Sequence, residues 1–232
     1  MQSKRAQTGF TLVEIAIVLV IIGLLLGGIL KGQEMIVQAK IKNVIADFSG
    51  VSAAYHGYMD RYRAIPGDDP GAGRWATGRA GDGNGIIGGA YNASTCPAGQ
   101  AQPALGTLES CLFWHDLRLA GFVAGTGAQQ PNNAMIGMIG VQTGDAAATP
   151  AQTLTDAGPP ATGFSGTIIC SANIPDKMAI AVDTQMDDGR SNLGTVRALL
   201  QTAPNPAIGT GQAATAAYAE TGTNVYTICR TL

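Results

Sequence analysis

The stretch Gly9-Phe10-Thr11-Leu12-Val13-Glu14, continued by IAIVLVIIGLLLGGIL, decides how this chain is organised. The 21 residues from Phe10 to Leu30 are mostly apolar and carry one charge, Glu14. A helix rises about 1.5 Å per residue, so a helix over this run would be about 30 Å long, the thickness of a bilayer's hydrocarbon core. The run therefore predicts a membrane-spanning helix over residues 10–30.

The residues before this run are basic, with Lys4 and Arg5 and no acid. Basic flanks mark the cytoplasmic end of a membrane helix, so we expect the bulk of the chain to be exported. A cleaved signal peptide is one alternative, although Gly27 and Gly28 stand without an A-x-A cleavage pattern. A plain membrane anchor is another. Neither alternative explains Glu14, because a carboxylate inside an apolar segment is costly.

The sequence GFTLVE at residues 9–14, directly before a full-length apolar run, resembles the prepilin signature of type IV pilins and of the pseudopilins of type II secretion. The resemblance implies that a prepilin peptidase cuts between Gly9 and Phe10, removes a leader of residues 1–9 and methylates Phe10. It also implies that Glu14 pairs with the new N-terminal amine of a neighbouring subunit. Such pairing spares both groups the cost of an unpaired ion in an apolar bundle.

Glycines recur inside the apolar run as two pairs four residues apart, Gly23 with Gly27 and Gly28 with Gly32. Small residues at this spacing let membrane helices approach each other closely. The alternative is that they only loosen the helix, because glycine disfavours helix by up to about 1 kcal/mol relative to alanine.

Apolar residues continue past Leu30 at alternating spacings of four and three, which predicts one stripe on a helix. The stripe consists of Val37, Ile41, Val44, Phe48, Val51, Tyr55, Tyr58 and Tyr62. The sequence Ile65-Pro66 ends it, since a residue before proline disfavours helix. We predict one helix from Phe10 to about Arg63, amphipathic over residues 31–63. A soluble coiled coil would show similar spacing, but we favour packing of the stripe beneath the protein's own sheet, as the resemblance also implies.

Residues 64–232 are predicted to form a loop-rich globular head of α+β class with a small antiparallel sheet. Turn-forming residues separate four strand-like runs, at Ala134–Val141, Thr167–Cys170, Met178–Val182 and Val225–Cys229. A short helix is predicted over Phe113–Ala120, ending at Gly121.

The four cysteines are Cys96, Cys111, Cys170 and Cys229. In an exported segment they predict two disulfides, for which three connectivities exist. We favour Cys96–Cys111, which closes a short loop, and Cys170–Cys229, which ties a middle strand to the C-terminal one. A zinc site is the alternative interpretation, but the chain has no C-x-x-C pair.

Two acidic loops are candidate calcium sites, because calcium binds several oxygens and glycines let the backbone bend around the ion. After Asp68-Asp69, the first offers Asp82 and Asn84; the second offers Asp187 and Asp188, close to Asp183. Neither completes the EF-hand spacing, since Ile86 takes the third ligand position of the first loop. The alternative is that both loops are Asx turns. We expect no other cofactor.

Charged residues make up 13% of the chain and the formal net charge is −2, which excludes a nucleic-acid binder driven by bulk charge. Enzyme motifs are missing from the sequence, which has no G-x-S-x-G and no Walker A pattern. Its two histidines, His56 and His115, are interpreted as structural. The G-x-G-x-x-G match at residues 83–88 lacks a preceding strand pattern and is interpreted as a loop.

We therefore expect a structural subunit of a type IV pilus or related filament, and not an enzyme. The resemblance implies other pilin subunits, the prepilin peptidase and N-methyltransferase, and an inner-membrane assembly platform as partners. It places the precursor in the inner membrane with its head in the periplasm, and the mature chain in a periplasmic or cell-surface filament. The alternatives are a pseudopilin of a type II secretion system, and an exported enzyme or binding protein with an N-terminal anchor.

Overall fold

The computed structural model describes residues 11–93, 109–146, 149–156, 162–209 and 211–232. Its helices are α1 (Leu12–Tyr62), α2 (Glu109–Leu119) and α3 (Asp176–Met186), with a single 3-10 turn at Ala72–Arg74. Its strands are β1 (Ile139–Thr143), β2 (Asp145–Ala146), β3 (Thr149–Gln152), β4 (Thr167–Pro175), β5 (Val196–Leu200) and β6 (Val225–Thr231). The architecture is α+β and pilin-like, as predicted.

The chain divides into two compact units, residues 1–39 and residues 40–232. In the first, the described residues are helical from Leu12 onward. The second, called the globular unit below, holds the rest of α1 and all the other elements. The predicted domain boundaries after residues 9, 30 and 63 stay predictions.

The predicted long helix is confirmed over the described residues, since α1 runs from Leu12 to Tyr62. No proline precedes Pro66, so nothing in the sequence interrupts the helical hydrogen bonds. The helix ends where Arg63 adopts a left-handed conformation, with φ of 56°, and its amide still bonds to the Met59 carbonyl at 2.9 Å.

The apolar stripe of α1 is buried in the globular unit, as predicted. Ile41, Val44, Phe48, Val51, Tyr55 and Tyr58 are all buried, and Ala54 joins them. At the two ends of the stripe, Val37 is exposed and Tyr62 is partly buried. The coiled-coil alternative is not needed, because the stripe finds its partners within the same chain.

The main sheet is antiparallel with strand order β1-β4-β6-β5. Its register places Val141 opposite Ile169 and Cys170 opposite Cys229. Residues alternate between the two faces of each strand, so the sheet buries two separate apolar sets. A second, two-stranded sheet pairs β2 with β3.

One face of the main sheet shares a core with the helices. Ile169 on β4 and Ile228 on β6 lie in the same cluster as Phe48 of α1, Leu117 of α2 and Val182 of α3. The opposite face is covered by loops, in a smaller cluster made of Tyr91, Leu154, Phe164, Ile168, Cys170, Ala172, Ile208 and Cys229. Helices and loops thus cover the sheet from both sides.

Two strand predictions need correction. The run Met178–Val182 lies inside helix α3, where Met178, Ala179 and Val182 are buried. These residues are spaced as on one helix face, and a run this short has no period that separates a strand from a helix. The strand predicted over Ala134–Val141 begins only at Ile139, because Asn133 holds the preceding residues in a turn: its Oδ1 accepts from the Met135 and Gly137 amides at 2.9 and 2.8 Å.

The other predicted elements are confirmed with shifted ends. The run Thr167–Cys170 extends to Pro175 as β4, and the run Val225–Cys229 extends to Thr231 as β6. The helix predicted from Phe113 begins earlier, at Glu109, and stops before Gly121. Gly121 has a φ of +81° and the Phe122 amide bonds to the Leu117 carbonyl at 2.9 Å, which is the predicted glycine C-cap.

Candidate functional site

The predicted processing residues Gly9 and Phe10 lie outside the described residues, and their roles stay predictions. The described chain starts next to them, with Thr11 followed by the first turn of α1. Thr11 and Glu14 form a reciprocal hydrogen-bonded pair there. The Glu14 Oε2 accepts from the Thr11 amide and from the Thr11 hydroxyl, both at 2.8 Å, and the Glu14 amide donates to the Thr11 hydroxyl at 3.3 Å.

This arrangement is a capping box, in which an N-cap threonine and a glutamate three residues later satisfy each other's backbone amides. Unsatisfied amides at a helix start are costly where no water can reach them. Both Thr11 hydrogen bonds use Oε2 of Glu14, and Oε1 accepts none from the residues that the structure describes. The carboxylate therefore caps its own helix with one oxygen, and no described residue donates to the other.

The surface of α1 that follows Glu14 is apolar on all sides. Every side chain from Leu12 to Leu30 is exposed, including Leu24 at 73% and Leu30 at 66%. Within the described chain, α1 is the one helix long and apolar enough to cross a membrane, and its most apolar window is not buried by any part of the protein. A surface of this kind needs lipid or other apolar helices around it.

The four glycines of this segment have open space around them. A Cβ atom added at Gly23, Gly27, Gly28 or Gly32 would meet nothing within 4 Å. Their small size therefore serves no contact inside the described subunit. It leaves grooves on the helix into which another helix could fit, as small residues four apart do in membrane helix pairs.

Of the predicted disulfides, Cys170–Cys229 is present and joins directly opposed residues of β4 and β6. Both cysteines are fully buried in the loop-covered cluster of the sheet. For the other predicted pair, Cys111 is buried in α2 and Cys96 lies outside the described residues. The pairing Cys96–Cys111 therefore stays a prediction.

The first candidate calcium loop is organised around Asp68 and Glu109. Asp68 is buried and accepts hydrogen bonds from the amides of Gly83 at 2.6 Å, Asn84 at 3.1 Å and Gly85 at 2.7 Å. Glu109, also buried, accepts from the Asp82 and Gly88 amides. Carboxylate oxygens of Asp68, Asp82 and Glu109 come within 4.8 Å of one another.

Burial raises the pKa of Asp68 and also that of Glu109. The side-chain amide of Asn84 bonds within the loop: its Nδ2 donates to Asp82 at 2.8 Å, and its Oδ1 accepts from the Ile86 backbone amide at 2.8 Å. The Asn84 backbone amide also bonds to Asp82 two residues back, which is an Asx turn. The G-x-G-x-x-G match at residues 83–88 is a loop, as interpreted.

The second candidate calcium loop joins α3 to β5. Carboxylate oxygens of Asp183, Asp187 and Asp188 lie within 4.8 Å of one another. Asp187 accepts from the amides of Thr195 and Val196, and Asp188 accepts from the Arg190 amide at 2.9 Å in an Asx turn. Asp183 is buried, which raises its pKa to about 6, and it accepts from the Tyr218 hydroxyl at 2.7 Å. Calcium at either loop stays a prediction.

Sequence reasoning missed Glu109, which the fold brings to Asp82 across 27 positions. It also missed a polar cluster that begins at Tyr58 of the stripe and contains Asp69 and Asp116. Asp69 accepts from the Tyr58 hydroxyl at 2.6 Å and forms an ion pair with Arg74 at 2.7 Å. Next to it, Asp116 is fully buried and accepts from the Gly67 amide at 2.8 Å. Residues so far apart in the chain give no local pattern, so only the folded structure reveals this cluster.

Comparison with known proteins agrees with the N-terminal geometry. Residues 4–30 match the family model described as the prokaryotic N-terminal methylation motif, which is the type IV pilin and pseudopilin signature. No curated protein and no solved structure matches the chain. The matched range contains the capping box of Thr11 and Glu14 and most of the exposed apolar surface of α1. The chain therefore carries the N-terminal methylation motif of type IV pilins and pseudopilins on an exposed apolar helix, and its α+β fold is pilin-like. The motif and the helix support a membrane-anchored precursor.

Proposed function

We propose that this protein is a structural subunit of a type IV pilus or a related filament. The observation that carries the proposal is the methylation motif at residues 4–30, set on a helix whose apolar side chains have no partner within the described chain. A helix of this kind can be stored in a membrane as a precursor and can later pack against identical helices in a fibre. Repeated heterologous contacts of one subunit with the next generate such fibres.

In the proposed pathway, a prepilin peptidase removes residues 1–9 and methylates the amine of Phe10. Cleavage creates a new α-amine four residues before Glu14, and such an amine is largely protonated at neutral pH. The Glu14 Oε1, which accepts no hydrogen bond from the described residues, supports a role as its acceptor in a neighbouring subunit. Thr11 would keep the carboxylate oriented at the helix start while that partner approaches.

The four glycines support the same proposal from the side of packing. Because an added Cβ at Gly23, Gly27, Gly28 or Gly32 meets nothing in the described subunit, their grooves stay open to a second helix. Close approach of two helices brings the amine of one subunit near the Glu14 of another and shields both from lipid. The inner-membrane assembly platform and the periplasmic location of the head belong to this proposal. So does a role for the head that is structural and not enzymatic.

The assembly role of Glu14 is tested by filament incorporation in cells that also make the wild-type filament system. Glu14→Val removes the proposed acceptor but keeps the helix apolar, so we expect normal export and cleavage with at least a tenfold loss of the subunit from sheared fibres. Glu34→Val is the matched control, because Glu34 is an exposed glutamate of the same helix and, among the described residues, it pairs with Lys31 at 2.7 Å. Incorporation of Glu14→Val at the control's level would contradict the proposal.

The pseudopilin alternative is separated by where the wild-type chain accumulates. A pilus subunit is recovered as a component of long fibres sheared from the cell surface. A pseudopilin at its native expression level stays with the envelope, and its deletion blocks release of secreted proteins. Quantifying the chain in the sheared fraction, together with secretion in a deletion strain, distinguishes the two functions.

A further inference from the structure

The globular unit contains a cavity that the proposed assembly function does not use. It has a volume of about 690 Å³ and lies between α2, the loop of residues 76–79 and the loop of residues 125–128. Cavities of roughly 300–1,000 Å³ are the size that binds small organic molecules. The cavity therefore has room for a ligand considerably larger than a single inorganic ion.

The wall that α2 contributes follows from its helical spacing. Leu112, His115 and Leu119 are three and four residues apart, so they share one face of the helix and line the cavity. Phe113 and Leu117 point the other way and are fully buried in the main core. The core thus fixes the helix, and the helix presents a mixed apolar and basic face to the cavity.

The titratable groups that line the cavity are all basic. They are Arg79 from the first loop and His115 and Arg118 from α2, and the lining residues include no acid. Within the part of the chain that the structure describes, neither arginine forms an ion pair. Arg118 donates from Nη1 to the Gly127 carbonyl at 2.9 Å, which fixes its guanidinium at the cavity wall.

Part of the Arg118 guanidinium remains without a hydrogen bond. Its Nε is buried and has no partner among the described residues. A buried donor without an acceptor carries a desolvation cost that a ligand oxygen would remove. Burial also lowers the pKa of Arg118, as expected for a cation held away from water.

We propose that this cavity binds a small organic anion, with its phosphate or carboxylate group among Arg79, His115 and Arg118. Arginine is suited to this role because its planar guanidinium matches the two oxygens of such groups. The neutral body of the ligand lies against Leu112 and Leu119, and the Thr77 and Thr126 side chains at the cavity wall offer hydroxyl groups to it. The proposal concerns binding alone and is independent of filament assembly.

His115 gives the binding a definite pH dependence. Burial lowers the pKa of His115, and the positive charges of Arg118 on the same helix and Arg79 on the facing loop lower it further. The loop of residues 125–128 brings no titratable side chain to the site. A bound anion stabilises the protonated ring, so the pKa of His115 rises on binding and affinity increases as pH falls below neutrality.

The test is calorimetric titration of the full-length chain in detergent micelles with three matched sugars. Glucose 6-phosphate carries a phosphate, glucuronate carries a carboxylate, and glucose carries no charge. Binding of either anion, with glucuronate bound more tightly at pH 6 than at pH 8 and glucose bound at least tenfold more weakly than the anion, is the expected result. The preferred anion identifies the ligand group. Binding of neither anion, or binding of glucose as tight as theirs, overturns the proposal.

Two variants locate the bound anion. Arg118→Gln and Arg79→Gln each remove one charged hydrogen-bond donor, and we expect each to weaken binding about tenfold or more. Arg190→Gln removes the same charge from an exposed loop outside the cavity and is the control. Arg118 also holds Gly127 by a hydrogen bond, so Arg118→Gln could fail to fold. In that case the affinity of Arg79→Gln is the deciding measurement. Unchanged affinity in Arg79→Gln overturns the proposed site.

Discussion

Glu14 caps its own helix with one carboxylate oxygen, while the other accepts no hydrogen bond from the residues that the structure describes. Its Oε2 accepts from the backbone amide and the hydroxyl of Thr11, and its own amide donates to that hydroxyl, which completes a capping box. The sequence alone identified Glu14 as an assembly carboxylate through a resemblance. The structure shows that Thr11, three residues away, orients this carboxylate by two hydrogen bonds, and the assembly role itself stays a prediction.

Asp116 is the residue whose charge we expect to limit the stability of the globular unit. Burial, and then the negative charge of Asp69, raise the pKa of Asp116 to about 7. In the unfolded chain an aspartate has a pKa of about 3.9. Between these values the unfolded state releases the proton while the folded state keeps it, so this group lowers stability progressively as pH rises from about 4 to about 7.

The variant Asp116→Asn cannot ionise and can still accept the hydrogen bond of the Gly67 amide. Its free energy of unfolding relative to wild type should therefore rise by about 2–3 kcal/mol between pH 5 and pH 8. Urea titrations followed by tryptophan fluorescence at the two pH values measure this change. Asp60→Asn, at an aspartate whose side chain is 85% exposed, should show almost none. An equal pH response in both variants would refute the shifted pKa of Asp116.

The disulfide Cys170–Cys229 should make a measurable contribution to the free energy of unfolding. It closes a loop with a sequence separation of 59 residues, for which chain entropy predicts about 4 kcal/mol of stabilisation. The double variant Cys170→Ala/Cys229→Ala should lose about this much free energy of unfolding in urea. Adding a reductant should then lower the stability of wild type by at least as much. A double variant as stable as oxidised wild type would contradict the estimate.

At the scale of elements, the second half of α1 packs its apolar stripe into the core of the globular unit. Its stripe could be predicted from sequence because burial of one helix face imposes a period of 3.6 residues on the apolar positions. Phe48 lies at the middle of the stripe and is 1% exposed. Its ring shares a core with residues of β4, β6, α2 and α3, so a cavity there would affect every layer.

Truncation of this ring is the prediction for the stripe. Phe48→Ala should reduce the free energy of unfolding by about 3–5 kcal/mol, the usual cost of emptying a buried aromatic position. Lys42→Ala, on the exposed side of the same helix, should change it by no more than about 0.5 kcal/mol. Urea unfolding at constant pH compares the two variants. Equal free energies of unfolding for the two variants would mean that burial of the stripe does not stabilise the globular unit.

The elements that sequence reasoning misassigned are short and lie in the head. Helix α3 begins at Asp176 directly after Pro175, and its residues Met178–Val182 form a five-residue apolar run that has no period of its own. Strand β5 was not predicted, because Val196–Leu200 is recognisable as a strand only beside β6, to which it pairs. Whether such a short segment forms a strand or a helix depends on the elements it packs against in the fold. The long helix is different, because its apolar period is visible in its own sequence.

At the scale of the whole molecule, an exposed apolar surface and a buried core belong to different parts of the chain. Residues 12–30 expose apolar side chains that only lipid or other helices can cover, while residues 40–232 bury a core of their own. The sequence revealed the first surface through its composition and its motif. It could not reveal the polar cluster of Asp69 and Asp116 or the basic cavity beside α2, since both assemble residues from separate segments.

The proposal that this chain is processed as a filament subunit predicts a specific new N-terminus, which the mass of the N-terminal peptide reveals. The chain would be recovered from sheared surface fibres, digested with a protease and analysed by tandem mass spectrometry. We expect an N-terminal peptide that begins at Phe10 and carries one methyl group on its amine. A chain that keeps residues 1–9, or one that begins beyond Gly28, would contradict it.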